Sequence, residues 1–180
     1  RYNDDKRLYN AARMFWDIVT IRHTLSNGSN STGEHFFPEG EFANRVQNFG
    51  GPESCNSVNM MRLTEILLQT EADVKYVDYY EKVLFNHVLA NFEPVEGMCC
   101  YYTSMRPGHY KTHAYPYDSF WCCVGTGLEA PTKFAKLIYM HTDNSLYVNM
   151  FIPSVLEWKE KGISVVQQTK YPDSNSVKLL

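Results

Sequence analysis

A chain of 180 residues with 44% hydrophobic and 21% charged content has the composition of an ordinary globular protein, long enough for one domain or parts of two. Its net charge of −3 lends no electrostatic support to binding of nucleic acid or an anionic membrane. No run of about 18 apolar residues occurs, so no membrane-spanning helix is expected.

In chain order, Asp4 to about Arg22 reads as an amphipathic helix, with Leu8, Ala11, Phe15, Ile18 and Val19 at three- and four-residue spacing. Ser26 to Thr32 is a loop with an Asn-Gly turn signal, and it runs into Gly33-Glu-His-Phe-Phe-Pro38. Glu39 to Gly51 has no clear period, which makes a long irregular region of the kind that often carries function. A second helix is predicted from about Ser54 to Gln69, with Val58, Met61, Ile66 and Leu68 inward. A third runs from about Ala72 to Asn91, with Val74, Val77, Tyr80, Leu84 and Val88 inward, before Pro94 and Gly97 stop it. Cys99 to Ser104 is a strand candidate, and a fourth helix covers about Gly127 to Met140.

After His141 the texture changes. Ser145–Ile152, Val155–Lys159, Ile163–Lys170 and Val177–Leu180 are short, rich in β-formers and separated by turn signals. The chain is therefore expected to be mainly α over 1–141 and β over 142–180. It opens at Arg1 within a helical pattern and closes at Leu180 within a strand pattern, which predicts a piece of a longer protein.

Five cysteines, Cys55, Cys99, Cys100, Cys122 and Cys123, do not make the even, widely spaced set of a disulfide framework. Adjacent Cys122 and Cys123 cannot easily bond to each other, but a metal can fix both. With Glu53 and Cys55 they supply one oxygen and three sulfurs, a plausible tetrahedral Zn²⁺ set. A Glu-x-Cys at a helix N-terminus suits that role, because the helix dipole there favours anions. The same residues also read as buried, inert thiols, and Cys99-Cys100 reads as strand packing. Glu34, after a glycine in a polar loop, is a candidate acid, although by itself such a residue reads first as a solvated loop glutamate. A thiol-redox role for Cys122-Cys123 lacks the Cys-x-x-Cys spacing. A non-catalytic, zinc-stabilised module for binding carbohydrate stays open. Thirteen tyrosines suit a sugar site, since each offers a flat face and a hydroxyl, but they also serve as half-buried packing.

Six segments occur together in this order: Gly33-Glu-His-Phe36, Gly51-Pro-Glu-Ser-Cys-Asn56, Asp78-Tyr-Tyr-Glu-Lys-Val-Leu-Phe-Asn86, Tyr102-Thr-Ser-Met-Arg-Pro-Gly108, Phe120-Trp-Cys-Cys-Val-Gly-Thr-Gly-Leu-Glu129 and Leu146-Tyr-Val-Asn-Met-Phe-Ile-Pro153. The set resembles the β-L-arabinofuranosidases of glycoside hydrolase family 127 and the related family 146. The resemblance implies part of an (α/α)6 barrel joined to the start of a β-sandwich. It implies a retaining hydrolase acting on a glycan that carries terminal L-arabinofuranose, with this stretch inactive alone. It also implies zinc held by Glu53, Cys55, Cys122 and Cys123, with Cys122 as nucleophile and Glu34 as general acid/base. Glu81 and Tyr101 fall at the family's sugar-binding positions. The same mechanism on a different sugar remains a further reading, because pocket contacts set specificity.

Overall fold

The computed structural model describes residues 5–180. Helices fill the first part and small antiparallel sheets the second, in the order the sequence predicts. One compact unit ends at Thr132 and another covers Lys133–Leu180.

The first unit is built on α1 (Lys6–Arg22), α2 (Phe42–Val46), α3 (Ser54–Thr70), α4 (Val74–Val83) and α5 (Cys122–Glu129). Asp5 caps α1 by accepting a hydrogen bond from the Arg7 N–H, and Asp73 does the same for α4 through Lys75. The expected start at Asp4 lies outside the described residues. Helix α4 continues as one π-turn, Leu84–Val88, and a final 3-10 turn, Leu89–Asn91, so the helical run ends where predicted. Its core side is Tyr76, Tyr80, Val83, Leu84 and Val88, all at most 1% exposed. The Trp16 indole donates to Thr64 Oγ1 at 2.8 Å and packs edge-on to Tyr76, which ties α1 to α3 and α4.

Several expected inward positions face outward. Leu8, Phe15 and Ile18 on α1 are exposed, and Trp16 and Val19 are the buried pair. Ile66 is also exposed, since the packed side of α3 runs through Met60, Met61, Thr64, Leu67 and Leu68, and so is Val74 at the start of α4. Cys99 to Ser104 forms no ladder. It is held by single bridges, Phe92 with Cys99, Cys100 with His113 and Glu53 with Tyr102. The last helix begins at Cys122, five residues before the expected Gly127, and turns 3-10 over Ala130–Leu137.

In the second unit, β1 (Tyr139–His141) and β2 (Leu146–Val148) form a hairpin with Met140 opposite Tyr147. Strand β1 overlaps the end of the expected fourth helix, because the alternation of its three residues is too short to register against the helical period. A second sheet joins β3 (Ser154–Trp158), β4 (Ile163–Thr169) and β5 (Val177–Leu179) in that order, all antiparallel. The buried Gln167 side chain donates to the carbonyls of Met150 and Ile152, at 3.0 and 2.9 Å. No helix among the described residues is long and apolar enough to cross a membrane.

Candidate active site and metal centre

Two helix N-termini bring three thiols together. Glu53 is the N-cap residue of α3, which makes Cys55 its second residue. Cys122 and Cys123 are the first two residues of α5. The first N–H groups of a helix lack partners within it, so both ends favour negative charge. Helices α3 and α5 are clasped by an Arg62–Glu129 ion pair at 2.6 Å.

The ligand atoms of Cys55, Cys122 and Cys123 all lie within 4.8 Å of one another, with Cys55 and Cys123 Sγ 3.5 Å apart. All the cysteines are free thiols. A tetrahedral thiolate site with bonds of ~2.3 Å sets its sulfurs roughly 3.8 Å apart, so the cluster fits a metal ion without large rearrangement. Thr126 Oγ1, one turn into α5, sits 3.0 Å from Cys55 Sγ. The Cys123 thiol, with help from Thr126, pulls the Cys55 thiol down to about 6 and is itself pushed up.

Glu53 borders this group without belonging to it. Burial raises its carboxyl above the usual range, and the charges of Cys55 and Glu34 add to the effect. Its backbone bridges to Tyr102, which brings α3's cap beside the segment carrying Tyr101. That approach depends on Gly51, where an added Cβ would stand 2.2 Å from the Thr103 carbonyl oxygen. Thr103 N–H donates to the Pro52 carbonyl at 2.9 Å and closes the contact.

Tyr101 joins the two candidate reacting groups. Its hydroxyl donates to Glu34 Oε1 in a very short hydrogen bond and accepts from the Cys122 thiol at 3.6 Å. Tyr101 and then Tyr102, both bonded to Glu34, hold its exposed carboxyl below the usual range. Glu34 has φ of 70°, and it follows Gly33 at φ of 56°. A glutamate in the left-handed region costs about 1–3 kcal/mol, a strain that concentrates where a side chain must be aimed.

Cys122 is exposed, Cys55 half-buried and Cys123 fully buried, so the cluster opens to solvent on the Cys122 side. Glu81 is half-buried on α4. Cys99 and Cys100 are buried and are not members of the thiol cluster, their thiols pushed up by burial, Cys100 to about 11. Cys99 Sγ donates to the Cys123 carbonyl at 3.3 Å, and Gly127 leaves room for it beneath α5. Tyr102, Thr126 and Gly51 stand within the quoted motifs, but their parts in the site come from contacts across 50 to 70 residues that no local pattern encodes.

The fold and motifs have named relatives. The chain is 27% identical, over 93% of its length, to a protein of Bifidobacterium longum subsp. longum named non-reducing end β-L-arabinofuranosidase. A solved GH127 β-L-arabinofuranosidase from Geobacillus stearothermophilus T6 has the same fold over 97% of the chain, with a TM-score of 0.78 at 23% identity. A solved GH127 β-arabinofuranosidase matches over 97% as well, with a TM-score of 0.79 at 20% identity. The chain spans 27%, 29% and 28% of the lengths of these three relatives. Residues 1–136 match the GH127 catalytic domain and 145–180 the GH127 middle domain, so the chain belongs to the β-L-arabinofuranosidase family GH127.

Proposed function

We propose that the chain carries the reacting groups of a retaining glycosidase that releases terminal β-L-arabinofuranose, with Cys122 as nucleophile, Glu34 as general acid/base and zinc bound by Glu53, Cys55, Cys122 and Cys123. The observation that carries this reading is the hydrogen-bonded line from Cys122 Sγ through Tyr101 to Glu34, set beside a thiol cluster of metal-binding dimensions. Family membership and the printed name of the Bifidobacterium relative support the sugar. The division into a catalytic portion, 1–141, and a sheet portion, 142–180, belongs to the same proposal and is supported by the spans of the two family matches.

In the first step the Cys122 thiolate attacks the anomeric carbon. The carbon–oxygen bond to the leaving group breaks, and Glu34, protonated, gives its proton to the departing oxygen. In the second step the Glu34 carboxylate takes a proton from water, whose oxygen attacks the same carbon as the carbon–sulfur bond breaks. Two displacements leave the configuration retained. Zinc, when bound, keeps the ligand thiols ionised and eases departure of the thiolate.

Glu34 as it stands favours the ionised form, because two tyrosines stabilise its charge. That is the form the second step needs. For the first step a bound sugar must take over the tyrosine contacts and exclude water, both of which raise the carboxyl's pKa. Tyr101 is placed to exchange its bonds for sugar hydroxyls, and Glu81 is assigned to sugar binding with it.

The test is hydrolysis of an aryl β-L-arabinofuranoside by the intact protein. Cys122→Ala and Glu34→Gln should each lower kcat by at least about a hundredfold, with an unchanged circular dichroism spectrum. Near-native turnover by either variant overturns the assignment.

A further inference from the structure

The loop carrying Glu34 is bordered by aromatic surface that the proposed chemistry leaves unused. Gly33 N–H donates to the Gly50 carbonyl at 2.7 Å, tying the neighbour of Glu34 to the residue that follows Phe49. The Phe49 ring meets His109 edge-on at 4.9 Å, and His109 stacks on Tyr110 at 5.0 Å with 26° between the planes. The Arg106 guanidinium lies 4.9 Å from the centre of the Phe49 ring. Despite these contacts, Phe49 is 60% and Tyr110 75% exposed. Contiguous apolar surface rimmed by polar groups marks an interaction site rather than ordinary exterior.

We propose that Phe49, His109 and Tyr110, with Arg106, form a platform for the sugar on the leaving-group side of the cleaved bond. This rests on Glu34 being the general acid/base. The acid must reach the bridging oxygen, so the departing residue lies on the Glu34 side, and Cys122 reaches the anomeric carbon from beyond Tyr101. The ligand class follows from the surface. A sugar ring lays a C–H face on an aromatic face and leaves its hydroxyls at the rim. Arg106 offers only donors, which suits neutral hydroxyl and ring oxygens. A rigid, pre-stacked set loses little side-chain freedom on binding. The platform thus sets preference for an oligosaccharide over a simple glycoside, while the anomeric-carbon pocket is left alone.

The experiment compares an L-arabinofuranose disaccharide with methyl β-L-arabinofuranoside, titrated calorimetrically into the Glu34→Gln protein, which keeps the sugar uncleaved. In that background Phe49→Ala and Tyr110→Ala should each weaken disaccharide binding about tenfold and change methyl glycoside binding by less than twofold. Equal weakening of both ligands, or of neither, overturns the platform. Hydrolysis of the methyl glycoside by the intact, unsubstituted protein is measured separately. Its absence counts against the glycosidase reading, whereas the binding ratio still decides the platform.

Discussion

Glu34 is costly where it stands, and the cost has a recognisable purpose. An exposed carboxylate gains little from a loop, and a left-handed backbone makes the position worse than neutral. Its compensation is a pair of tyrosine hydroxyls and proximity to Cys122 through Tyr101. His87 shows the opposite arrangement, a titratable group kept out of any chemistry. It is fully buried on the π-turn, with Nδ1 2.8 Å from the Ser57 hydroxyl, and burial pushes its imidazole down to about 4. An unfolded histidine titrates near ~6.5. The folded pKa is depressed, so the contribution of His87 to stability is complete above that value. It is lost as pH falls from about 6.5 to about 4, because the unfolded chain takes up a proton that the folded one refuses. The loss should reach roughly 3 kcal/mol. Urea unfolding at pH 7.5 and pH 4.5 should show His87→Asn losing much less stability on acidification than the native protein. Parallel pH dependence of the two would mean His87 is not buried neutral.

At the scale of elements, the site is assembled from pieces that are individually weak. Helix α5 is two turns long, and Trp121 gives it no side-chain cap. The segment 99–103 has no strand partner beyond single bridges. What holds it is the buried Asn91 at the end of α4's helical run. The Asn91 side chain donates to the Cys100 carbonyl at 2.9 Å and accepts from the Thr103 hydroxyl at 2.8 Å. Gly51 then lets the α3 cap approach Thr103 closely enough for Glu53 to pair with Tyr102. Gly51→Ala would force that contact apart, since its Cβ overlaps backbone rather than a movable side chain. A stability loss of about 3 kcal/mol is expected, together with weaker metal binding, measured by denaturation and by elemental analysis. A variant as stable as the native protein would show that the two segments do not meet.

For the molecule as a whole, a metal held by these thiols would link the start of α3 to the start of α5, positions nearly 70 residues apart. Such a crosslink contributes folding free energy, because the unfolded chain has no preformed site. Chelation should therefore lower the melting temperature by several degrees and make Cys122, already exposed, reactive toward an alkylating reagent. Cys100, buried and with its thiol pushed up to about 11, should stay unmodified until unfolding. An unchanged melting curve after complete metal removal would rule out a structural contribution from the site.

Local chemistry was sufficient for much of this protein. The three long helical runs, the β-rich texture after His141 and the Glu-x-Cys at a helix start follow from period and capping, which act over a few residues. Inward and outward faces were less legible. Leu8, Phe15 and Ile18 have the right spacing for a core, but spacing says which residues share a side, not which side is covered. The start of α5 at Cys122 was hidden because Gly125 and Gly127 are poor helix formers, and packing on Cys99 overrides their propensity. The family resemblance assigned Glu34, Tyr101 and Cys122 to one site, but the hydrogen bonds that join them, and the meeting of Phe49 with His109 and Tyr110, belong to the tertiary structure alone. Those residues are brought together by hydrogen bonds and close backbone approaches between distant segments, which only the folded chain brings into contact.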